Sequence, residues 1–451
     1  MNLQILARRH RLIKQLDTAI LLFSGDRLSR NFRANQYLFR ASSHFLYFAG
    51  LPLAGAMLFL EGDRQILFID FPTADDALWH GEFTPREELR ASLQVDRILP
   101  KSELKKYAMG TATIPLVDPF QRLAQSEILG RELSAPNQLA GCDQQLAKAI
   151  VNCRLTHDSA AIAQIQSAID LSVQAHIKGM QTAVRAKTEA EVRGAIEGKI
   201  LAGQMTFAYN SIVTTHGEIL HNEHSFRPLN QGDLLLVDAG AETTDGWASD
   251  ITRTYPISGK FSSTQRDLYD IVLAAHDQAI AALKPGVEYS EIHWLAAKTL
   301  TEGLLNLGIF KGQVDDLLAQ DVHALFFPHG IGHLLGLDVH DMEDFGDLAG
   351  YAKGRSRGDR FGECFLRLNR PLKTNMIVTI EPGFYQIPSL LNSAKKQDKY
   401  QQWVNWDRLA DFTDVRGIRI EDDILITANG SKNLSKTLSS DAKAIENIMN
   451  S

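Results

Sequence analysis

The chain of 451 residues holds only three cysteines, Cys142, Cys153 and Cys364, and none stands at C-x-x-C spacing. That count excludes a disulfide framework and a thiolate zinc site, and it leaves free buried thiols as the expectation. Long apolar runs are missing too, since no stretch reaches the roughly 18 residues that a membrane span needs. The start, MNLQILARRHRLIKQL, has no apolar core ahead of a small-residue cleavage site, so no secretory leader is read there. A cytoplasmic protein with no membrane partner is the expectation. Cationic surplus is also absent: the formal net charge is −7 and no Lys/Arg stripe with interleaved aromatics offsets it, which argues against nucleic acid. No P-loop occurs, and Gly330-Ile331-Gly332 continues as HLLG, the wrong spacing for a dinucleotide fingerprint.

Two small motifs are read as bland. The basic run Arg8-Arg9-His10-Arg11 is expected to be a solvated helix face. Gly354-Arg355-Ser356-Arg357-Gly358 fits G-x-S-x-G, but its flanks, YAK and DRF, supply neither the strand nor the helix of a nucleophile elbow.

A hydrophobic content of 44% with 22% charged residues belongs to a globular protein. This length suggests roughly two to three domains. Up to about residue 150 short strands and helices alternate, in AILLFSG, SHFLYFAG, AMLFLEG and QILFID, each closed by a turn-type residue. The pattern predicts an α/β domain with a mixed sheet over 1–150. Near Thr156, a candidate N-cap, begins an amphipathic helix with Ile162, Ile165, Ile169, Val173, Ile177, Met180 and Val184 at helical spacing. A second domain, 151–451, then sets strand-like runs (SIVTT, DLLLVDAG, DITRTYPI, MIVTIEPGF, GIRIEDDILI) among two helical ones, an α+β layout. The stretches 343–370 and 387–412 lack apolar periodicity and are expected to be surface loops around a site mouth.

All the candidate chemistry lies in that second domain. Asp238 closes LLLVDAG, Asp250 opens DITRTYP, His333 ends HGIGH, Glu381 sits in TIEPG and Glu421 in GIRIEDD. One imidazole with carboxylates is a hard, oxygen-rich donor set suited to Mn²⁺, Mg²⁺, Co²⁺ or Zn²⁺. Converging carboxylates repel one another, and two divalent cations would cancel that charge. A hairpin centred on Thr244 would place Asp238 directly across from Asp250. Two glycines in His329-Gly-Ile-Gly-His333 disfavour a helix and predict an extended or looped segment, with His333 as ligand and His329 and His340 as possible donors. Pro382-Gly383 would halt a strand just after Glu381. Period-2 alternation puts Arg419 on the face of Glu421, where it would orient a carboxylate. Asp422 and Asp423 are expected to be solvated or turn residues, and Asp233, Asp338, Asp341 and Glu343 loop or supporting groups.

At these positions the chain resembles the pitta-bread metallopeptidases, and among them aminopeptidase P. The motifs are ILH at 219–221, VDAG, DITRTYP, HGIGH, LGLDVHD, TIEPG and GIRIEDD, with FRASSHFLYFAG and ALWHGEF similar to that family's N-terminal domain. The resemblance implies a pitta-bread catalytic domain holding two divalent ions, expected to be Mn²⁺. Asp238 would hold one ion, His333 and Glu381 the other, and Asp250 and Glu421 would bridge them. A metal-bridging hydroxide would attack the carbonyl before proline, with Glu381 handling the proton. His221, His329 and His340 would line the pocket, Tyr209 and Arg419 would stand near it, and Trp79 would reach a neighbouring subunit's pocket in a dimer or tetramer.

Three departures are visible. The interval from Asp238 to Asp250 is one residue longer than usual, His44 stands where Asp is usual, and the two unpatterned stretches are similar to those of prolidases. The expected activity is that of an Xaa-Pro aminopeptidase acting on peptides with proline second, with an Xaa-Pro dipeptidase as the alternative. A non-catalytic binding homologue would have lost ligands, whereas here every ligand position holds a competent side chain.

Overall fold

The computed structural model describes residues 2–451. The chain divides into two compact units, one running to Ala160 and including Met342–Ala349, the other made of Ala161–Asp341 and Gly350–Ser451. Among the described residues no helix is long and apolar enough to cross a membrane. The cysteines are unpaired, with Cys153 buried.

In the first unit the strands β1 Ile20–Phe23, β2 Met57–Glu61, β3 Arg64–Phe68 and β4 Arg97–Leu99 form one sheet in that order. The first two pairings are antiparallel and the third parallel, so the sheet is mixed, as expected. Alternate residues put Leu21, Phe23, Met57, Phe59, Ile66 and Phe68 on one face, where they pack against Leu104, Ala108, Leu129 and Leu133.

The N-terminal basic run departs from expectation. Arg8 and Arg9 are 6% and 0% exposed. Arg8 pairs with Asp158 at 2.8 Å. Arg9 donates to the carbonyls of Phe48 and Leu93 at 2.6 and 2.9 Å, near the ends of the helices Ser43–Ala49 and Arg86–Leu93. Carbonyls at helix ends have no partner within the helix, and a buried guanidinium supplies the donors. His44 is buried as well. It accepts at Nδ1 from Arg154 and therefore donates from Nε2 to Asp344, both at 2.9 Å, inside the first unit.

The helix Ser159–Ala183 starts after Asp158 rather than at Thr156, and from Ala161 on it belongs to the second unit. Its strands are β5 Thr206–Phe207, β6 Ile212–Thr214, β7 Leu234–Asp238, β8 Ala241–Glu242, β9 Thr252–Pro256, β10 Ile377–Ile380, β11 Gly383–Tyr385, β12 Gly417–Arg419, β13 Asp422–Thr427 and β14 Gly430–Asn433. Among the described residues they form β6-β7-β9, β10-β13-β14 and the pairs β11-β12 and β5-β8. Single bridges tie Thr252 of β9 to Glu421, between β12 and β13, and Leu334 of an irregular segment to Val378 of β10. The helices Ser263–Ala282 and Tyr289–Asn306 match the two helical runs. The first begins with a capping box, Ser262 with Gln265.

The 387–412 stretch is not an open loop. It folds into the short helices Pro388–Ala394, Asp398–Gln401 and Trp406–Leu409. They bury Leu391, Ala394, Tyr400 and Leu409, so isolated apolar residues suffice where each helix lasts only a turn or two.

Candidate metal centre

The hairpin carrying the first two carboxylates has a different register from the one expected. Asp238 pairs with Thr252, Ala239 N–H donates to the Ile251 carbonyl, and Glu242 bridges to Ala248, which centres the turn on Asp245 rather than Thr244. Asp250 therefore stands opposite Gly240, two residues along the ladder from Asp238 and on the same face. A Cβ at Gly240 would lie 1.8 Å from the Ser249 carbonyl oxygen, so glycine is what lets the strands close here. Tyr209 joins the two ligands, its hydroxyl 2.5 Å from Asp238 Oδ1 and 2.5 Å from Asp250 Oδ1.

His333 lies in an irregular segment, as two glycines nearby require. Gly332 has φ +156°, and a Cβ there would meet the Thr379 carbonyl oxygen and the Tyr289 hydroxyl at 2.3 Å each. The His333 ring donates from Nδ1 to the Leu334 carbonyl at 3.0 Å. That bond fixes the tautomer and leaves the Nε2 lone pair facing the carboxylates. Nε2 is 3.4 Å from Asp250 Oδ2, 3.6 Å from Glu381 Oε1 and 4.0 Å from Glu421 Oε1.

Glu381 follows β10, and Pro382 separates it from β11, as expected. Glu421 is held by its neighbours: Arg419 Nε donates to Thr252 Oγ1 at 3.1 Å, and that hydroxyl donates to Glu421 Oε2 at 2.7 Å. Arg419 also donates to Asp238 Oδ2 at 2.6 Å and to the Tyr385 hydroxyl at 3.1 Å. The other oxygen of Glu421, Oε1, is buried with no hydrogen-bond partner.

Three groups of ligand atoms, each within 4.8 Å of one another, emerge: Asp238, Asp250 and Glu421; His333, Glu381 and Glu421; Asp250, His333 and His340. Electrostatics shows how badly this cluster needs cations. Burial, then the charge of Asp238, pushes the Asp250 carboxyl up to about 8. Burial likewise carries Glu381 up to about 7, against the pull of His333 and Arg419. Glu421 is raised well above the carboxylate range by burial and by Asp250 and Glu381. Carboxyls this close in a dry site stay protonated unless positive charge arrives. An orphaned buried oxygen, a lone pair aimed inward and a mutually repelling acidic set all fit divalent ions.

The cluster forms the floor of a cavity of about 260 Å³ lined by Leu220, His221, Pro328, His329, His340, Phe365 and Arg367 besides the ligands and Arg419. His329 donates from Nδ1 to the Gly330 carbonyl at 2.8 Å and accepts at Nε2 from the Tyr385 hydroxyl at 2.9 Å. Burial holds this imidazole down at about 3, so it works as a neutral ring. His340 packs its ring 4.1 Å from that of His333. His221 sits at the open edge, its pKa lowered by partial burial and by Arg367 and Arg419. Tyr209 does not line the cavity but supports two carboxylates from behind. Trp79, in the first unit, is 78% exposed on the helix Ala74–His80.

Asp422 and Asp423 are 2% and 0% exposed, not solvated. Asp422 pairs with Arg253 at 2.7 Å. Burial alone would raise its pKa, but Arg253 and His276 hold it well below the usual range. Asp423 Oδ2 accepts from the Asp250 N–H at 3.1 Å, so it braces a ligand's backbone. Sequence reasoning also passed over Tyr385, Thr252, Phe365 and Arg367. Tyr385 lies four residues from Glu381 and Thr252 two from Asp250, so period-2 counting from each candidate ligand would have found them. Phe365 and Arg367 come from the irregular 343–370 stretch, which was expected to rim the mouth but offered no period to count.

Comparison with known proteins gives a consistent result. The profile of metallopeptidase family M24 matches residues 163–428, and that of the aminopeptidase P N-terminal domain matches residues 5–113. A probable Xaa-Pro aminopeptidase of Phaeosphaeria nodorum is 34% identical over 88% of this chain and 85% of its own length. One from Verticillium alfalfae is 34% identical over 89% and 85%. Among solved structures, Escherichia coli aminopeptidase P with the inhibitor Pro-Leu aligns with a TM-score of 0.82 at 28% identity, covering 100% of this chain and 98% of that one.

Proposed function

Since the chain belongs to metallopeptidase family M24, a family of metal-dependent hydrolases, we propose that it is an Xaa-Pro aminopeptidase that releases the N-terminal residue from peptides with proline in second position. The observation that carries this reading is the convergence of Asp238, Asp250, His333, Glu381 and Glu421 on the floor of one cavity. Relatives named Xaa-Pro aminopeptidase along most of their length support the substrate class over the dipeptidase alternative.

Asp238 would serve one ion and His333 with Glu381 the other, with Asp250 and Glu421 shared between them. That sharing is supported by Asp250 and Glu421 each grouping once with Asp238 and once with His333, which do not group with each other. Manganese suits this hard donor set. Bound ions supply the Lewis acidity that lets water attack a carbonyl at neutral pH.

The chain's own groups do the rest. Glu381 turns Oε1 toward His333 and Oε2 toward His329, 3.9 Å from its Nδ1. From there its carboxylate could take a proton from the attacking water and return it to the leaving nitrogen. His340 and His221 line the same cavity and would grip a developing oxyanion or the substrate carbonyl. His329, neutral and saturated by Gly330 and Tyr385, shapes the wall. Arg419, Thr252 and Tyr209 hold the carboxylates in place. Exposed Trp79 suits a contact with a second copy in a homo-oligomer, and unpaired thiols suit the reducing cytoplasm.

The test is a length series of Gly-Pro, Gly-Pro-Ala and a pentapeptide with proline second, on metal-stripped protein with and without Mn²⁺. Mn²⁺-dependent cleavage of the two longer peptides, abolished in Asp250→Ala with the fold retained, is the expected result. Cleavage of the dipeptide alone would make the protein a dipeptidase, and no metal-dependent cleavage would make it a non-catalytic homologue.

A further inference from the structure

Glu189 opens the helix Glu189–Ala202 and is completely buried. It is not a metal ligand and does not line the cavity, and a carboxylate in the core needs donors around it. Those donors come from two separate places. Oε1 accepts from the Thr215 N–H at 2.7 Å and from the Thr215 hydroxyl at 3.0 Å, with the Thr214 hydroxyl at 3.4 Å. Oε2 accepts from the Arg227 N–H at 3.2 Å, and the Arg227 guanidinium stands 4.0 Å away. The backbone repeats the link, because Glu189 N–H donates to the Arg227 carbonyl and Leu229 N–H to the Lys187 carbonyl.

Thr215 and Arg227 are the two ends of one loop. The chain leaves β6 at Thr214, runs through 216–226 and returns at Arg227, and between those ends lie Leu220 and His221, which line the cavity. One carboxylate therefore ties both ends of the loop that presents His221. The remaining supports lie within the loop or beside its first half. Asn222 donates to Thr214 Oγ1 at 2.8 Å, and Gly217 meets Gly417 so closely that a Cβ on it would be 2.8 Å from the Gly417 carbonyl oxygen. Neither brings the returning end to the leaving end. Loop closure by fixed bonds lowers the entropy cost of holding one geometry at the loop's tip.

We propose that Glu189 is a positioning residue for the peptidase reaction, clamping the two ends of the 215–227 loop so that His221 is presented to the substrate. This rests on the reading of His221 as a substrate-facing group. The alternative is a buttress whose loss lowers stability and leaves the chemistry alone.

The experiment is a double-mutant cycle on the Mn²⁺-loaded full chain, with Glu189→Gln and His221→Ala singly and together, reading kcat and KM on Gly-Pro-Ala, metal content and Tm. The proposal expects Glu189→Gln to keep its metal content and to lower kcat/KM by about tenfold, with less than a twofold further loss once His221 is alanine, because groups acting as a unit are non-additive. Should Glu189→Gln fold poorly, Thr215→Val removes one partner hydroxyl at nearly constant volume and must show the same dependence on His221 with a smaller loss. Equal losses in both backgrounds, or a lowered Tm with unchanged kcat/KM, would overturn the clamp. Full activity of His221→Ala would instead overturn the reading of His221, and the clamp with it.

Discussion

Arg419 donates from Nη2 to Asp238 Oδ2 at 2.6 Å, so one oxygen of a candidate metal-ligand carboxylate is committed to a guanidinium fixed at two further points, Thr252 and Tyr385. A lysine ammonium cannot reach these divergent acceptors together. Arg419→Lys is expected to weaken metal binding by about 10- to 100-fold, the usual cost of losing such support. Mn²⁺ titration of the stripped variant checks it, and unchanged affinity would refute the role.

Tyr209 has a single proton to offer two carboxylate oxygens. With the Asp250 carboxyl raised to about 8, the consistent arrangement has protonated Asp250 donating to the tyrosine oxygen and the tyrosine donating to Asp238. Tyr209→Phe removes both bonds without opening a cavity. We expect the same fold, weaker metal retention on dialysis, and recovery of activity when Mn²⁺ is added in excess.

Metal-free protein should show an inverted pH dependence. Asp250 and Glu381 have folded-state values of about 8 and about 7, above the ~4 of an unfolded carboxyl. Their contribution is present below about pH 4 and is lost as pH rises through the folded values. The Tm of stripped protein should fall between pH 5 and 8, and Mn²⁺ should remove that fall by neutralising the cluster. A flat profile in the stripped protein would contradict it.

Two glycines separate close approach from mere flexibility. Gly332→Ala would drive a Cβ into the Thr379 carbonyl and the Tyr289 hydroxyl, which should displace His333, abolish activity and lower stability by more than about 1 kcal/mol. Gly194, inside the helix Glu189–Ala202, has open space around it. Gly194→Ala should raise stability by about 0.5–1 kcal/mol and leave activity alone. Thermal melts and peptide assays on both variants decide the matter.

What could be read from the chain alone follows from how local each signal was. Asp238, Asp250, Glu381 and Glu421 were readable because each stands at a strand end marked by alternation or by proline and glycine. The buried fates of Arg9 and Asp422 were not, since polarity marks a residue as exposed unless its partner is known, and Asp422 finds Arg253 across 169 positions. Glu189 was invisible for the same reason. The hairpin register failed more narrowly, because symmetry about an apparent turn residue cannot tell Thr244 from Asp245 as the centre.

That hairpin acts as a parity device. Its ladder runs unbroken from the Asp238–Thr252 pair through Ala239 and Ile251 to the Thr243 N–H on the Trp247 carbonyl. Successive side chains on a strand point to opposite sides, so the register set by the turn decides whether Asp250 or Ile251 faces Asp238 and the other candidate ligands. Two residues added or removed would keep the side and shift the ligand along it. A one-residue change keeps the carboxylate in place only when the turn absorbs it, as it does between Asp238 and Asp250, so the conformation of the turn as well as its length decides which side chain faces the cavity.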